Sequence, residues 1–232
     1  MEAIQSAPAD VKDRLKASYD AMAPQYNAWT ERHHSLRAKY LDKLLALCPQ
    51  LLEKKSAASN GRVPHVMELG CGSGVPVLST LLEKNEALRV TALDLSDTQI
   101  GFAKENLKAF EPRATFISGD MVRETADTPS SSCTAVVALY SIIHLPQEEQ
   151  VQIIHGVADW LEKDGCFLAC FAKDEAKGLV MEHWLDEKGW MYWSGLGVDG
   201  TIKTMEEAGL KVELKEVEEG PEETFLWVIA RK

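Results

Sequence analysis

The chain has 232 residues, of which 45% are hydrophobic and 26% are charged, a balance typical of a globular protein with one full core. Its formal net charge of −11 argues against a nucleic-acid partner, because binding to a polyanion depends on basic patches. No apolar stretch reaches the roughly 18 residues of a membrane span, and residues 1–10 lack the features of a signal peptide. We therefore expect a cytoplasmic protein without membrane or nucleic-acid partners.

The N-terminal part of the chain is predicted to be helical. Residues 10–20 and 33–47 show apolar residues at helical spacing. The segment 53–62 is polar and rich in small residues, which is typical of a linker. We therefore expect a helical cap over residues 1–52 and a separate domain over residues 63–232.

From residue 63 onward, short apolar runs alternate with helical patterns. This alternation predicts an α/β fold with a parallel sheet and helices on both faces. The last two strands are close enough in sequence to form an antiparallel hairpin around 220–221. The predicted strands are 63–68, 88–93, 114–118, 134–139, 165–171, 211–217 and 224–230.

A glycine-rich loop follows the first of these strands. Gly70, Gly72 and Gly74 leave no Cβ in the way of a ligand, and the helix that follows offers unpaired N–H groups. The G-x-G-x-G spacing differs from that of dinucleotide sites, and the absence of a Lys-Ser/Thr pair excludes a P-loop. Glu68 argues against a pyrophosphate and favours a ligand with positive charge or several donors.

Asp94 ends the second predicted strand, about 20 residues beyond the loop, where an acidic residue can accept hydrogen bonds from ribose hydroxyls. Ser96 and Gln99 are spaced as a capping box that starts the next helix. Together with the glycine loop, Asp94 predicts a ligand that has a ribose but no pyrophosphate.

These motifs resemble those of class I S-adenosylmethionine-dependent methyltransferases that act on small molecules. The loop at 68–74 is similar to the family's first motif, residues 94–96 to the second and residues 118–121 to the third. Residues 140–145 resemble the segment after the fourth strand, and the resemblance covers about residues 15–171. It implies a Rossmann-like, doubly wound sheet of seven strands with an antiparallel last strand, and S-adenosylmethionine as a cofactor that becomes S-adenosylhomocysteine.

The resemblance also implies a role for individual residues. Asp94 would hold the ribose, Leu95 would pack on the adenine and Asp120 would accept a hydrogen bond from its exocyclic amine. Glu68 would support the glycine loop or the amino group, and the cap would close as a lid in which Tyr19 reaches the methionine end. The residues expected to contact the cofactor are Tyr19, Glu68, Gly70, Cys71, Gly72, Gly74, Asp94, Leu95, Asp120, Met121, Leu139 and Tyr140.

His144, which lies near the transferred methyl group in similar proteins, is the candidate general base. The alternative is a structural histidine that caps the helix after Pro146. His33, His34 and His183 are weaker candidates for a base. An amine acceptor needs only to be neutral, whereas a phenol, a hydroxyl or an activated carbon usually needs a base. No set of metal ligands is evident at the strand ends, so we expect no metal.

Bulky apolar side chains crowd the connection after the fifth strand, and we expect an acceptor-pocket insertion around 178–200. Aromatic rings there offer π-faces to an apolar or cationic substrate, although packing against the sheet is the alternative, as it is for Tyr26. The residues expected to contact the acceptor are Tyr26, His144, Trp184, Trp190, Tyr192 and Trp193.

The predicted function is methyl transfer to a small-molecule acceptor by in-line displacement, with a nitrogen, oxygen, sulfur or carbon atom as the nucleophile. The alternative is a methyltransferase-fold protein that binds the cofactor but promotes another reaction, such as a cyclisation, or serves as a regulatory partner. The sequence assigns neither the acceptor nor the oligomeric state.

Overall fold

The fold consists of a large central sheet, a small second sheet and seven α-helices in the part of the chain that the computed structural model describes, residues 1–54, 62–220 and 224–232. In chain order the elements are β1 (Glu2–Ala3), α1 (Val11–Thr30), α2 (His34–Leu47), β2 (His65–Leu69), α3 (Val77–Lys84), β3 (Arg89–Asp94), α4 (Asp97–Asn106), β4 (Ala114–Ser118), α5 (Met121–Glu124), β5 (Cys133–Ala138), α6 (Gln147–Trp160), β6 (Leu161–Ala172), β7 (Glu175–Glu182), β8 (Trp190–Leu196), α7 (Gly197–Glu207), β9 (Lys211–Glu219) and β10 (Thr224–Arg231).

The central sheet has the strand order β4-β3-β2-β5-β6-β10-β9. Its first five strands pair in parallel, whereas β10 is antiparallel to both β6 and β9. This arrangement confirms the Rossmann-like, seven-stranded fold with an antiparallel last strand. All seven predicted strands are present. The predicted turn at 220–221 extends into residues outside the described part, as does most of the predicted linker at 53–62.

Helices cover both faces of this sheet because the strands are apolar on both sides, and all six residues of β5 are buried. One face packs against α2, α3 and α4, and the other packs against α6 and α7. On α6, Ile153 and Val157 are one helical turn apart and both are buried, as expected for the apolar stripe of a surface helix.

The cap helices are anchored to the sheet and to the smaller sheet beside it. On α2, the Tyr40 ring stacks on Trp227 of β10 at a centroid distance of 4.1 Å. The second sheet has the order β1-β7-β8 and is antiparallel. Apolar residues of α1 pack against β8, so the N-terminal segment and the predicted insertion are in contact. The division at residues 52 and 63 stays a prediction.

Helix α1 lies over the edge of the central sheet at which β3 and β4 end. Its residue Asp20 accepts hydrogen bonds from the Ser96 hydroxyl (2.6 Å) and the Thr98 backbone N–H (3.1 Å) at the start of α4. Ser96 caps α4 by accepting a hydrogen bond from the Gln99 N–H, as its spacing predicts. No described helix is both long and apolar enough to cross a membrane.

Candidate cofactor and acceptor site

The glycine loop connects β2 to α3 by a turn that requires residues without a Cβ. Gly70, Gly72 and Gly74 all have positive φ angles, which side chains rarely tolerate. A Cβ on Gly70 would overlap the side chain of Ser141. A Cβ on Gly72 would meet no described atom closer than 4.0 Å, so the backbone there is open to a ligand. Gly74 instead packs against Leu107 and does not line the cleft described below.

Asp94 lies at the end of β3 and holds the glycine loop in place. Its carboxylate accepts hydrogen bonds from the backbone N–H of Gly72 (2.8 Å) and from that of Ser96 (2.9 Å). Burial, opposed by these bonds, raises the pKa of Asp94 to about 6. The side chain is half-buried and lines the adjacent cleft, so its remaining acceptor capacity is directed to the cleft.

Two buried ionisable side chains, the carboxyl group of Glu68 and the guanidinium group of Arg37, line the same cleft. Glu68 is 4% exposed, and its Oε2 atom has no hydrogen-bond partner among the described residues. Burial raises the pKa of Glu68 to about 8, although the charge of Arg37 opposes this shift. Arg37 donates from Nη2 to the Thr30 hydroxyl (2.9 Å), while its Nε has no partner within the described chain. A ligand with both signs of charge would compensate these buried groups.

We call the space lined by these residues the cofactor cleft; its volume is about 960 Å³, including the part that is open to solvent. Eleven of the twelve predicted cofactor residues line it, and Gly74 is the exception. Asp120 caps α5 by accepting a hydrogen bond from the Val122 N–H (3.1 Å) and forms an ion pair with Lys12 of α1 (2.6 Å). The lining residues that sequence reasoning missed are Lys12, Leu15, Asn27, Thr30, Arg37, Ser73, Val75, Val77, Gln99, Gly119, Ser141 and Leu145.

Arg37 is the missed residue with a recognisable sequence signal. It lies four residues before Leu41 and seven before Leu44, on the apolar stripe that buries α2. A charged residue at such a position is buried with the stripe, and buried charges in proteins are normally paired. The pattern therefore indicates a buried guanidinium, although it does not indicate which ligand it faces.

A second cavity, of about 310 Å³, adjoins the cofactor cleft, and we call it the aromatic pocket. Trp184 is its central ring, with centroid distances of 5.3 Å to Trp29, 5.9 Å to Trp193 and 6.1 Å to Tyr26. Four of its residues, Tyr26, His144, Trp184 and Trp193, are predicted acceptor contacts, and the other six are not. The residues that line the pocket are Tyr19, Tyr26, Trp29, Thr30, His33, Tyr140, Ile143, His144, Trp184 and Trp193.

His144 lies where the cleft and the pocket meet. Its Nδ1 is 2.7 Å from the Tyr192 carbonyl oxygen, and a carbonyl only accepts, so Nδ1 carries the proton. Nε2 is then an acceptor for the Tyr19 hydroxyl, at 2.9 Å. Burial lowers the pKa of His144 to about 4, so the ring is neutral at physiological pH and its Nε2 lone pair faces the junction.

Two of the predicted acceptor contacts, Trp190 and Tyr192, line neither cavity. The Trp190 ring is buried beneath the Arg14 guanidinium, 3.9 Å from its centroid. The Tyr192 hydroxyl donates to the Lys177 carbonyl (2.9 Å). Both side chains pack between α1 and the second sheet, which corrects their expected position. Tyr192 still contributes to the site, because its carbonyl orients His144.

The other predicted histidines differ in their positions. His33 lines the aromatic pocket, whereas His34 and His183 line neither cavity. The ring of His183 is 2.9 Å from the Glu187 carbonyl on the surface. Within the described residues, no three His, Cys, Asp or Glu side chains are grouped to hold a metal ion.

Comparison with known proteins assigns the central part of the chain. Residues 66–165 match the sequence model of a family described as methyltransferase domain. This match confirms, over these residues, the predicted resemblance to class I methyltransferases. A curated relative, the carboxy-S-adenosyl-L-methionine synthase of Nautilia profundicola, is 29% identical over 103 residues. That match covers 44% of this chain and 42% of the relative, so the chain aligns with less than half of the relative's length.

Solved structures share the methyltransferase fold over the whole chain. The [4+2]-cyclase SpnF superposes with a TM-score of 0.71 and 16% identity, covering 100% of this chain and 99% of that one. The 1,6-didemethyltoxoflavin-N1-methyltransferase of Burkholderia thailandensis superposes with a TM-score of 0.64 and 17% identity, covering 100% and 93%. At these identities the likeness shows the fold alone. A methyltransferase domain of this class uses S-adenosylmethionine, which confirms the predicted cofactor.

Proposed function

We propose that the protein transfers a methyl group from S-adenosylmethionine to a small-molecule acceptor. The observation that carries this proposal is the junction of two cavities with different linings. The cofactor cleft contains buried charged groups and the glycine loop, whereas the aromatic pocket consists mainly of rings. Tyr19, Tyr140 and His144 line both, so an acceptor in the pocket would lie next to the cofactor's methionine end.

The charged residues of the cleft fit the two ends of the methionine part. The α-amino group and the carboxylate of S-adenosylmethionine have opposite charges. Glu68 and Arg37 offer complementary charges beside Gly70 and Gly72, and each has a buried polar atom without a partner in the described structure. Pairing a buried charge removes a large desolvation cost, so these residues favour a zwitterionic ligand.

The other end of the cleft fits a nucleoside. Asp94 would accept hydrogen bonds from the ribose hydroxyls, and Leu95 and Met121 would pack on the adenine. Asp120 would accept a hydrogen bond from the exocyclic amine while it keeps its ion pair with Lys12, whose Nζ lies 2.6 Å from Oδ2 of Asp120. The glycine loop, Asp94 and Asp120 would therefore contact the cofactor from the same edge of the sheet.

When bound, the cofactor supplies a methyl group on a sulfonium sulfur, which is transferred with both electrons of the C–S bond remaining on sulfur to give S-adenosylhomocysteine. The protein aligns the acceptor with this methyl group, and alignment supplies much of the rate of such displacements. Tyr19 and Tyr26 of α1 cover the junction and exclude water. For an acceptor with an acidic hydrogen, Nε2 of His144 accepts the proton.

The reaction product tests this proposal. We would incubate the protein with isotopically labelled S-adenosylmethionine and a host metabolite extract and identify labelled compounds by mass spectrometry. A methyltransferase yields one S-adenosylhomocysteine for each labelled product. The second candidate, a cofactor-binding enzyme of another class such as a cyclase, is favoured by the full-length likeness to SpnF. It would convert a substrate without forming S-adenosylhomocysteine.

The role of His144 can be tested separately. Loss of a general base typically lowers turnover by about a hundredfold or more, so we expect His144→Ala to reduce kcat while cofactor affinity is retained. His155, an exposed histidine on α6, is the matched control, and His155→Ala should have wild-type kcat. Full activity of His144→Ala would remove this residue from the mechanism.

A further inference from the structure

We infer that the acceptor is an uncharged, planar aromatic or conjugated compound with an acidic O–H or N–H group, bound in the aromatic pocket, and not a cationic amine. This inference rests on the proposed function and narrows its substrate class. Three observations support it: the arrangement of the rings, the charges around them and the position of His144.

The rings come from two segments of the chain. Tyr26 and Trp29 belong to α1, whereas Trp184 lies in the connection between β7 and β8 and Trp193 belongs to β8. The Trp29 and Trp184 rings are 5.3 Å apart at an interplanar angle of 76°, and Trp184 and Trp193 are 5.9 Å apart at 86°. Aromatic rings prefer such edge-to-face contacts or offset stacking, so a flat ring system is the ligand shape that continues this packing.

The charges around the pocket disfavour a cation. No carboxylate is among the described residues that line it. The Arg37 guanidinium lies 5.1 Å from the Tyr140 ring, and that of Arg32 lies 5.5 Å from the Trp29 ring. The attraction that these two rings offer to a cation is therefore already engaged, and the bound sulfonium adds a further positive charge. A neutral acceptor avoids repulsion by these positive charges. An acceptor that becomes anionic is attracted by them.

The base at the junction also fits an acceptor that loses a proton. Nε2 of His144 carries no proton and accepts from the Tyr19 hydroxyl at 2.9 Å. An acceptor O–H or N–H can replace that hydroxyl as the donor, since Nε2 has one lone pair. The proton of the acceptor then passes to Nε2. A lone pair on the acceptor's oxygen or nitrogen atom forms the bond to the methyl carbon, and the electrons of the C–S bond remain on sulfur.

Binding of matched probes tests the inference. We would titrate 2-naphthol and (2-naphthyl)trimethylammonium into the protein saturated with S-adenosylhomocysteine and measure both dissociation constants by calorimetry. We expect 2-naphthol to bind about tenfold more tightly or better, because the Trp29 and Tyr140 rings already contact the Arg32 and Arg37 guanidinium groups and no carboxylate among the described lining residues balances the charge of the cation. Equal or tighter binding of the cation would overturn the inference, as would failure of both probes to bind. Failure of S-adenosylhomocysteine itself to bind would instead overturn the proposed function, and the inference with it.

Variants of the pocket then locate the bound probe. Trp184→Ala removes the central ring and should weaken 2-naphthol binding about tenfold or more, with Trp184→Phe intermediate. Affinity for S-adenosylhomocysteine should stay at the wild-type value in both variants, which also shows that they are folded. Trp160, buried between α6 and the sheet, is the control, and Trp160→Phe should bind 2-naphthol normally. Normal 2-naphthol binding by a folded Trp184→Ala would overturn the assignment of the pocket.

Discussion

Asp94 combines in one carboxylate a structural role and the ribose-binding role that we propose for it. It fixes the glycine loop by accepting hydrogen bonds from Gly72 and Ser96, and it faces the cleft that the loop opens. Its position was predictable, because the end of the second strand lies beside the first βα turn in every fold of this kind. The raised pKa of Asp94 was not predictable, because the burial of its carboxyl group depends on α1, which covers this edge of the sheet.

Replacing Asp94 should weaken cofactor binding in a pH-dependent manner. Asp94→Asn keeps the shape of the side chain but loses its charge, and we expect about tenfold weaker binding or more, because a charge-assisted hydrogen bond contributes roughly 1.5–3 kcal/mol. The wild-type carboxyl has a pKa of about 6, so affinity should fall as the pH falls through this value. Calorimetry between pH 5 and pH 8 measures both effects. Asp94→Asn should lack this pH dependence, and an unchanged affinity would contradict the ribose assignment.

Glu68 should lose its proton when the cofactor binds. In the free protein its pKa is about 8, so the carboxyl is mostly neutral at pH 7. A bound ammonium favours the ionised form and lowers the pKa, so binding should release a proton and affinity should rise with pH up to about 8. Calorimetry at pH 7 in buffers of different ionisation enthalpy counts the protons released. Glu68→Gln should release fewer protons on binding than the wild type. If this variant released the same number, the proton would come from another group.

At the scale of elements, α1 forms the roof of the cofactor cleft. Lys12 makes ion pairs with Asp120 (2.6 Å) and with Glu149 (2.8 Å), which joins α1 to the end of β4 and to α6. Lys16 makes a further pair with Asp97 at 2.7 Å. Because the glycine loop and Asp94 lie beneath this helix, we expect ligand entry and release to require these contacts to loosen.

Loss of the Lys12 contacts should therefore speed cofactor release. We expect Lys12→Met to raise the dissociation rate of S-adenosylhomocysteine about fivefold, since each partly exposed pair contributes up to about 1 kcal/mol. Stopped-flow fluorescence measures this rate. Lys203 of α7 makes an exposed pair with Glu207 at 3.7 Å and does not line the cofactor cleft, so Lys203→Met should release ligand at the wild-type rate. If Lys12→Met also did so, opening of α1 would not limit release.

The second sheet shows where sequence patterns lose information. β1 has only two residues, Glu2 and Ala3, too few to show the alternation that predicts a strand. On β8 the alternation is concealed, because its residues from Trp190 to Trp193 are all bulky and apolar. Successive residues of a strand point to opposite faces, which is why Trp193 reaches the aromatic pocket whereas the Tyr192 side chain does not. The concentration of rings predicted a pocket wall but not which of them form it.

At the scale of the whole molecule, the inner strands of the central sheet were predictable because they are short apolar runs buried on both faces, as β2 and β5 show. The edge strand β9 instead alternates exposed and half-buried residues, and all seven strands occur where expected. The cofactor cleft was largely predictable for a related reason, since motifs at the ends of parallel strands meet at one edge. Arg37 and Trp29 were not predicted, and His33 was predicted only as a weaker candidate for a base, because these residues reach the site from the cap, whose path over the sheet is set by packing at a distance.

The most direct test of the central claim is a calorimetric titration with S-adenosylhomocysteine. We expect one equivalent to bind, no heat from NAD, and about tenfold weaker binding or more in Arg37→Met, because a charged group at the carboxylate is lost. Arg89, an exposed residue at the opposite end of β3, is the control, and Arg89→Met should bind normally. Absence of S-adenosylhomocysteine binding, or the same affinity in a folded Arg37→Met variant, would contradict the account.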